Sequence, residues 1–180
     1  MATTWMRKAA MLAGALLATG TAPAVAQGMA EHQPACPARP VAPPAALRGW
    51  TAMTPIQAGE RVGLAPVLTI GRSVRATLRD EAGVKLAAPS TRSGEAPGTA
   101  GLFQFAVARA GRYRIALGEG VWIDVVSAGK PLASVAHSHG PDCSGIRKMV
   151  DFDLKPGRYV LQVTGSKTAS LPLMVARVTG

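Results

Sequence analysis

Two cysteines and three histidines are the side chains of this 180-residue chain whose types and spacing could do chemistry together. His32 lies four residues before Cys36, while His137 and His139 lie six and four residues before Cys143, with Asp142 next to it. In an oxidising compartment two cysteines most simply close one disulfide, Cys36 to Cys143, around a loop of about 100 residues. Chain-entropy accounting gives such a closure about 4 to 5 kcal/mol. The bond would draw His32 toward His137 and His139. On a strand, residues 137 and 139 project from one face, so three neutral imidazoles, with Asp142 nearby, could be offered to copper, zinc or iron. The same residues have a plainer reading. Gly140 and Pro141 end any strand at once, and His-Ser-His-Gly-Pro is ordinary loop composition, which leaves the histidines exposed to solvent.

Other constellations point away from catalysis, and no residue is assigned a catalytic role. Ser144 beside Cys143 and near His139 invites a Ser-His reading, but the Gly-x-Ser-x-Gly elbow is absent and Ser144-Gly145 suits a turn. Asp151 and Asp153 alternate on one face of a strand, where they are expected to solvate the surface beside Arg147, Lys148 and Arg158. Trp122 with Asp124 could present a ring to a sugar, although a sandwich tryptophan is more often core.

These residues must be placed by some scaffold, and the chain announces it in order. Arg7 and Lys8 precede an apolar run from Ala9 to Ala18, and Ala24-Val25-Ala26 offers small residues to a signal peptidase. Residues 1–26 are therefore read as an export signal cleaved before Gln27, sending the protein to the periplasm or beyond. The apolar run is too short for a membrane span, which needs about 20 apolar residues, and no later segment reads as one. Residues 27–46 hold Pro34, Pro37, Pro40, Pro43 and Pro44, a density that forbids helix and predicts an extended arm. The domain proper is read as 47–180.

Charge narrows the partners. Of 20 Lys and Arg, removing Arg7 and Lys8 leaves 18 against 10 Asp and Glu, a formal +8 for the exported chain. The cations are scattered, with no basic run and no interleaved aromatic residues, so nucleic acid is not the expected partner. A solvated basic surface, or weak attraction to anionic polysaccharide or the cell envelope, fits better.

From Leu47 onward Gly and Pro punctuate short apolar runs at roughly ten-residue intervals, the pattern of an antiparallel two-sheet sandwich. Val74, Ala76 and Leu78 alternate with Arg75 and Thr77, and Phe103, Phe105 and Val107 repeat the two-residue period. Tyr113, Ile115 and Leu117 do the same, as do Val150, Phe152 and Leu154, then Tyr159, Leu161 and Val163. Val121 to Val126 and Leu171 to Val175 are apolar at nearly every position and should be covered on both faces. An internal echo joins Phe105 to Leu117 with Phe152 to Val163: a strand, a glycine turn, then Arg-Tyr and another strand. Each copy is predicted to be a hairpin-like unit with its glycine at positive φ.

The run Leu68 to Leu78, Phe103 to Leu117, Trp122 to Val126 with Pro131-Leu-Ala-Ser, and Phe152 to Val163 resembles the bacterial pre-peptidase C-terminal type of β-sandwich, over roughly Val62 to Val178. That resemblance implies an all-β, jelly-roll-like module that accompanies secreted enzymes and is generally not catalytic. The stretch His137 to Tyr159 also resembles short secreted bacterial proteins labelled homogentisate 1,2-dioxygenase, which makes a small cupin-like metal-dependent dioxygenase the alternative function. A cupin-type oxygenase pairs His-x-His with a following glutamate and a later histidine. Here His137-Ser138-His139 supplies the pair, but Glu119 is the last glutamate and no histidine follows His139.

Overall fold

The computed structural model describes Cys36, residues 41–92 and residues 98–179, all within one unit, Ala35–Gly180. The export segment 1–26, His32 and most of the proline-rich arm lie outside the described residues. The alternating runs all become strands, and these build two sheets. One has the spatial order β1 (Thr54–Gln57), β2 (Ser73–Thr77), β11 (Ser170–Val178), β5 (Gly111–Leu117), β9 (Lys148–Leu154), β8 (Ala136–Ser138). The other runs β3 (Arg79–Asp80), β4 (Thr99–Val107), β10 (Gly157–Ser166), β6 (Trp122–Ser127), β7 (Lys130–Pro131).

Four strands of each sheet, β2-β11-β5-β9 and β4-β10-β6-β7, wind as a jelly roll, with β1, β8 and β3 added at the edges. Their inward residues form one core that includes Phe103, Phe105, Ile115, Phe152, Leu161 and Leu173. No helix of the described residues is long and apolar enough to cross a membrane.

One pair departs from the antiparallel expectation: β1 runs parallel to β2, with Thr54 opposite Val74 and Gln57 opposite Thr77. Parallel neighbours need a long crossover rather than a tight turn. Here the intervening chain visits the other sheet, bridging Gly59 to Leu102 and Val67 to Gln104, before it returns in the same direction.

The echoed units are not hairpins. β4 and β5 belong to opposite sheets, as do β9 and β10, so each unit is an arch that carries the chain across the core. The two arches pair with each other instead: β4 lies along β10 and β5 along β9, placing Phe105 opposite Tyr159 and Phe152 opposite Tyr113. The phenylalanine of each copy thus meets the tyrosine of the other, and the Phe105 and Tyr159 rings stack with centroids 5.5 Å apart. Each tyrosine also closes its own arch. Tyr113 donates to the Arg109 carbonyl and Tyr159 to the Lys155 carbonyl, both at 2.8 Å and both four residues back. These tyrosine corners hold the turns where a ladder would hold a hairpin. Gly111 has a φ of 154°, whereas Gly157 is not among the glycines of positive φ.

Both continuous apolar strands are covered on their outer faces. Leu47 and Trp50 pack on Ala116, Met149, Met174 and Ala176 of the six-stranded sheet, with Ile146 beside them. Burying Leu47 contributes about 2 kcal/mol. Across the sandwich, residues 87 and 88 are held over the five-stranded sheet by Gln162, whose Oε1 accepts from both backbone N–H groups and whose Nε2 donates to the Ala88 carbonyl.

The aspartates of β9 do not simply solvate their face. Register places Arg114 opposite Asp151 and Arg112 opposite Asp153 on β5. Arg114 donates twice to Asp151, at 2.7 and 2.8 Å, and Asp151 is only 4% exposed. Hydrogen bonding to Asp151 pushes the Arg114 pKa above its already high value. Arg112 makes a longer, exposed pair with Asp153.

Candidate functional site

Of the residues singled out by spacing, the structure joins Cys36 and Cys143, as a disulfide with Cα atoms 5.4 Å apart between residues 107 positions apart in sequence. The bond fastens the arm to the loop that leads through Ile146 into β9. Ser144 in that loop has a turn role: its hydroxyl donates to the Pro141 carbonyl at 2.6 Å and accepts from the Ile146 N–H.

His137 and His139 are exposed. His137 sits on the edge strand β8 opposite Val150, and His139 donates from Nδ1 to the Arg147 carbonyl at 3.0 Å. Asp142 is exposed in the loop that follows. Among the described residues no three or more His, Cys, Asp or Glu side chains group closely enough to hold a metal ion. His32 lies outside those residues.

A different cluster forms at the open side of the sandwich, where β6 and β7 of one sheet come near β9 and β8 of the other. A groove of about 610 Å³ opens there, within the range of small-ligand sites. Its floor is core: Ile123, Val150 and Phe152, with Leu132 from the chain between β7 and β8. Its polar wall is made by Trp122, Asp124, Lys148, His137, Thr91 and Ser134.

Trp122 is the first residue of β6 and is 39% exposed, so it is not the core tryptophan that a sandwich strand suggests. Val121, Ile123 and Val125 face the core, so two-residue alternation turns Trp122 and Asp124 to the other face of the strand, and the buried tryptophan among the described residues is Trp50. The indole is nevertheless fixed. Its Nε1 donates to Thr91 Oγ1 at 3.1 Å and to Asp124 Oδ1 at 3.3 Å. Asp124 is 4% exposed and accepts from four directions: the Thr91 hydroxyl, the Thr91 N–H, the Trp122 indole and the Gln162 amide. A buried carboxylate surrounded by donors is a structural anchor, since leaving it unpaired would be costly.

Lys148 opens β9 and reaches across to the other sheet. Its Nζ lies 5.3 Å from the centroid of the Trp122 ring and donates to the Val121 carbonyl at 2.8 Å. Burial holds its pKa below the usual lysine range. No ion pair to Lys148 forms among the described residues.

Trp122 and Asp124, two apart on one strand face, were the legible part of this cluster. Lys148 was read with the surface charges beside Asp151 and Asp153, although its two-residue spacing from Val150 and Phe152 puts it on the inward face of β9, at the mouth of the sandwich. Gln162, wholly buried beneath the segment it holds, carried no sequence signal beyond being a polar residue inside an apolar strand.

No family model matches the chain, and no curated protein matches it. Among solved structures it is similar to the pre-peptidase C-terminal domain of a collagenase from Bacillus anthracis. The identity is 17%, the TM-score 0.35, and the likeness covers 67% of this chain and 96% of that domain.

Proposed function

We propose that this chain is an exported, non-catalytic binding module whose ligand site is the groove between the open edges of its two sheets. One observation carries the reading: an exposed tryptophan, locked by hydrogen bonds at its indole nitrogen, stands above a floor of core side chains beside a lysine that has no carboxylate partner among the described residues. Rigid aromatic walls with a few placed polar groups are what small-molecule recognition requires, because little ordering entropy remains to be lost on binding. Two of the ionisable groups there are held in place, Asp124 by four donors and Lys148 by a carbonyl and a ring. The Cys36–Cys143 bond supports an oxidising compartment, the periplasm or the exterior, in keeping with the export signal read in residues 1–26.

The test is a panel of mono- and disaccharides, amino acids and dicarboxylates titrated into the oxidised protein while the indole N–H resonance of Trp122 is followed, assigned by Trp122→Phe. Saturable movement of that resonance, with each ligand recovered unchanged, is the expected result. Turnover of a ligand, or binding that leaves the Trp122 resonance still, would overturn the reading.

A further inference from the structure

We infer that the groove takes an acidic saccharide, its carboxylate on Lys148 and its ring against Trp122. This rests on the reading of the groove as the ligand site and adds the chemistry of the ligand.

The lysine supplies the first argument. An ammonium group has three N–H donors, and Lys148 spends one on the Val121 carbonyl while its charge lies over the Trp122 ring. A half-buried cation without an anion has given up water for incomplete compensation, so folding maintains it at a cost. A ligand carboxylate would complete it with a charge-assisted hydrogen bond. The lowered lysine pKa, caused by burial, is the signature of the same deficit.

The remaining groups define the rest of the ligand. Asp124 faces the groove, yet its oxygens are occupied by the Thr91, Trp122 and Gln162 donors, which blunts its repulsion of an incoming anion. His137 faces the groove from β8 and Ser134 from the chain before it, and both can meet hydroxyl groups. Trp122 offers an apolar ring surface that its Nε1 bonds keep in place. A ring with hydroxyls on its edge, C–H groups on its face and one carboxylate matches all of these at once. The exported chain is basic, formally +8 once Arg7 and Lys8 are removed with the signal (18 Lys and Arg against 10 Asp and Glu), which favours the approach of acidic polymers.

The experiment compares trigalacturonate, its methyl ester and an acetylated tripeptide with a free C-terminal carboxylate, by calorimetry and by the Trp122 indole resonance. Trigalacturonate should bind and move the resonance, and its methyl ester should bind about tenfold more weakly or worse. Lys148→Met should lose about tenfold in trigalacturonate affinity while remaining folded, and Lys148→Arg should recover most of it. If the acid and its ester bind alike, with Lys148→Met unaffected, the acidic-saccharide inference falls and the groove stands as a binding site. A tripeptide that moves the resonance where trigalacturonate does not would also overturn the saccharide while keeping the groove. Trigalacturonate binding that leaves the Trp122 resonance unmoved, or no binding by any of the three, would overturn the acidic saccharide, and the groove falls with it only if the wider panel also leaves the Trp122 resonance still.

Discussion

The Lys148 ammonium lies 5.3 Å from the centre of the Trp122 ring, linking the first residue of β9 in one sheet to the first residue of β6 in the other. This contact spans the mouth of the sandwich, and it separates stability from binding in a testable way. Burial lowers the Lys148 pKa in the folded protein, so below the usual lysine value of 10.5 the charged form is better solvated in the unfolded chain. The charge therefore opposes folding at neutral pH, and that opposition fades as pH rises through the lowered folded value toward 10.5. Lys148→Met, which keeps an apolar stem of similar length, should be at least as stable as wild type at pH 7. The difference should shrink in urea unfolding at pH 10.5. A Lys148→Met protein markedly less stable than wild type at both pH values would mean that the lysine is a structural strut.

The tyrosine corners should carry measurable stability. Tyr113→Phe and Tyr159→Phe each remove one hydroxyl and leave a partly buried carbonyl without its donor, costing about 1 to 2 kcal/mol apiece. Because the Phe105 stack survives in Tyr159→Phe, the loss should come from the arch rather than the core. Urea midpoints for the two single variants and the double variant would check this. The double effect should be close to the sum of the singles unless the arches, which pair with each other, are coupled.

The two arginine–aspartate pairs between β5 and β9 should behave differently despite identical chemistry. Asp151→Asn leaves Arg114 facing a neutral amide in a site where the carboxylate is nearly buried, and should cost about 2 kcal/mol. Asp153→Asn acts on an exposed pair at longer distance and should have little effect on the unfolding midpoint. Equal losses would show that burial does not set the strength of these pairs.

Reduction of the Cys36–Cys143 bond should cost stability on the scale of about 4 to 5 kcal/mol expected for a loop of this length. Its local signature should be at Trp50. Leu47 and Trp50 cover the six-stranded sheet, and Trp50 is 2% exposed. Freeing the arm and the Cys143 loop should loosen this cover, shifting the tryptophan emission of Cys36→Ser to longer wavelength before the sandwich itself unfolds. An unshifted emission spectrum in a destabilised Cys36→Ser would place the effect wholly in the unfolded chain.

Local pattern alone determined a good deal of this protein. Two-residue alternation marked the strands that carry Val74, Phe105, Ile115, Phe152 and Leu161, because a half-buried strand must sort its side chains by face whatever its partners. The continuous apolar runs in β6 and β11 declared that both faces would be covered, and the count of two cysteines left one pairing. Partnership was decided only by tertiary structure. The Arg-Tyr echo looks the same in a hairpin and in an arch, since turn chemistry is local while the choice of sheet depends on which distant strand offers a ladder. Asp151 and Lys148 are three residues apart and so on opposite faces of one strand, but nothing in their neighbours says that the first is buried against Arg114 on β5 and the second leans over a ring in the other sheet. Trp122, Asp124, Lys148 and Gln162 meet only because the jelly roll brings β6 beside β10 and sets the open edge of one sheet over that of the other, a juxtaposition fixed by long-range pairing that no short stretch of sequence encodes.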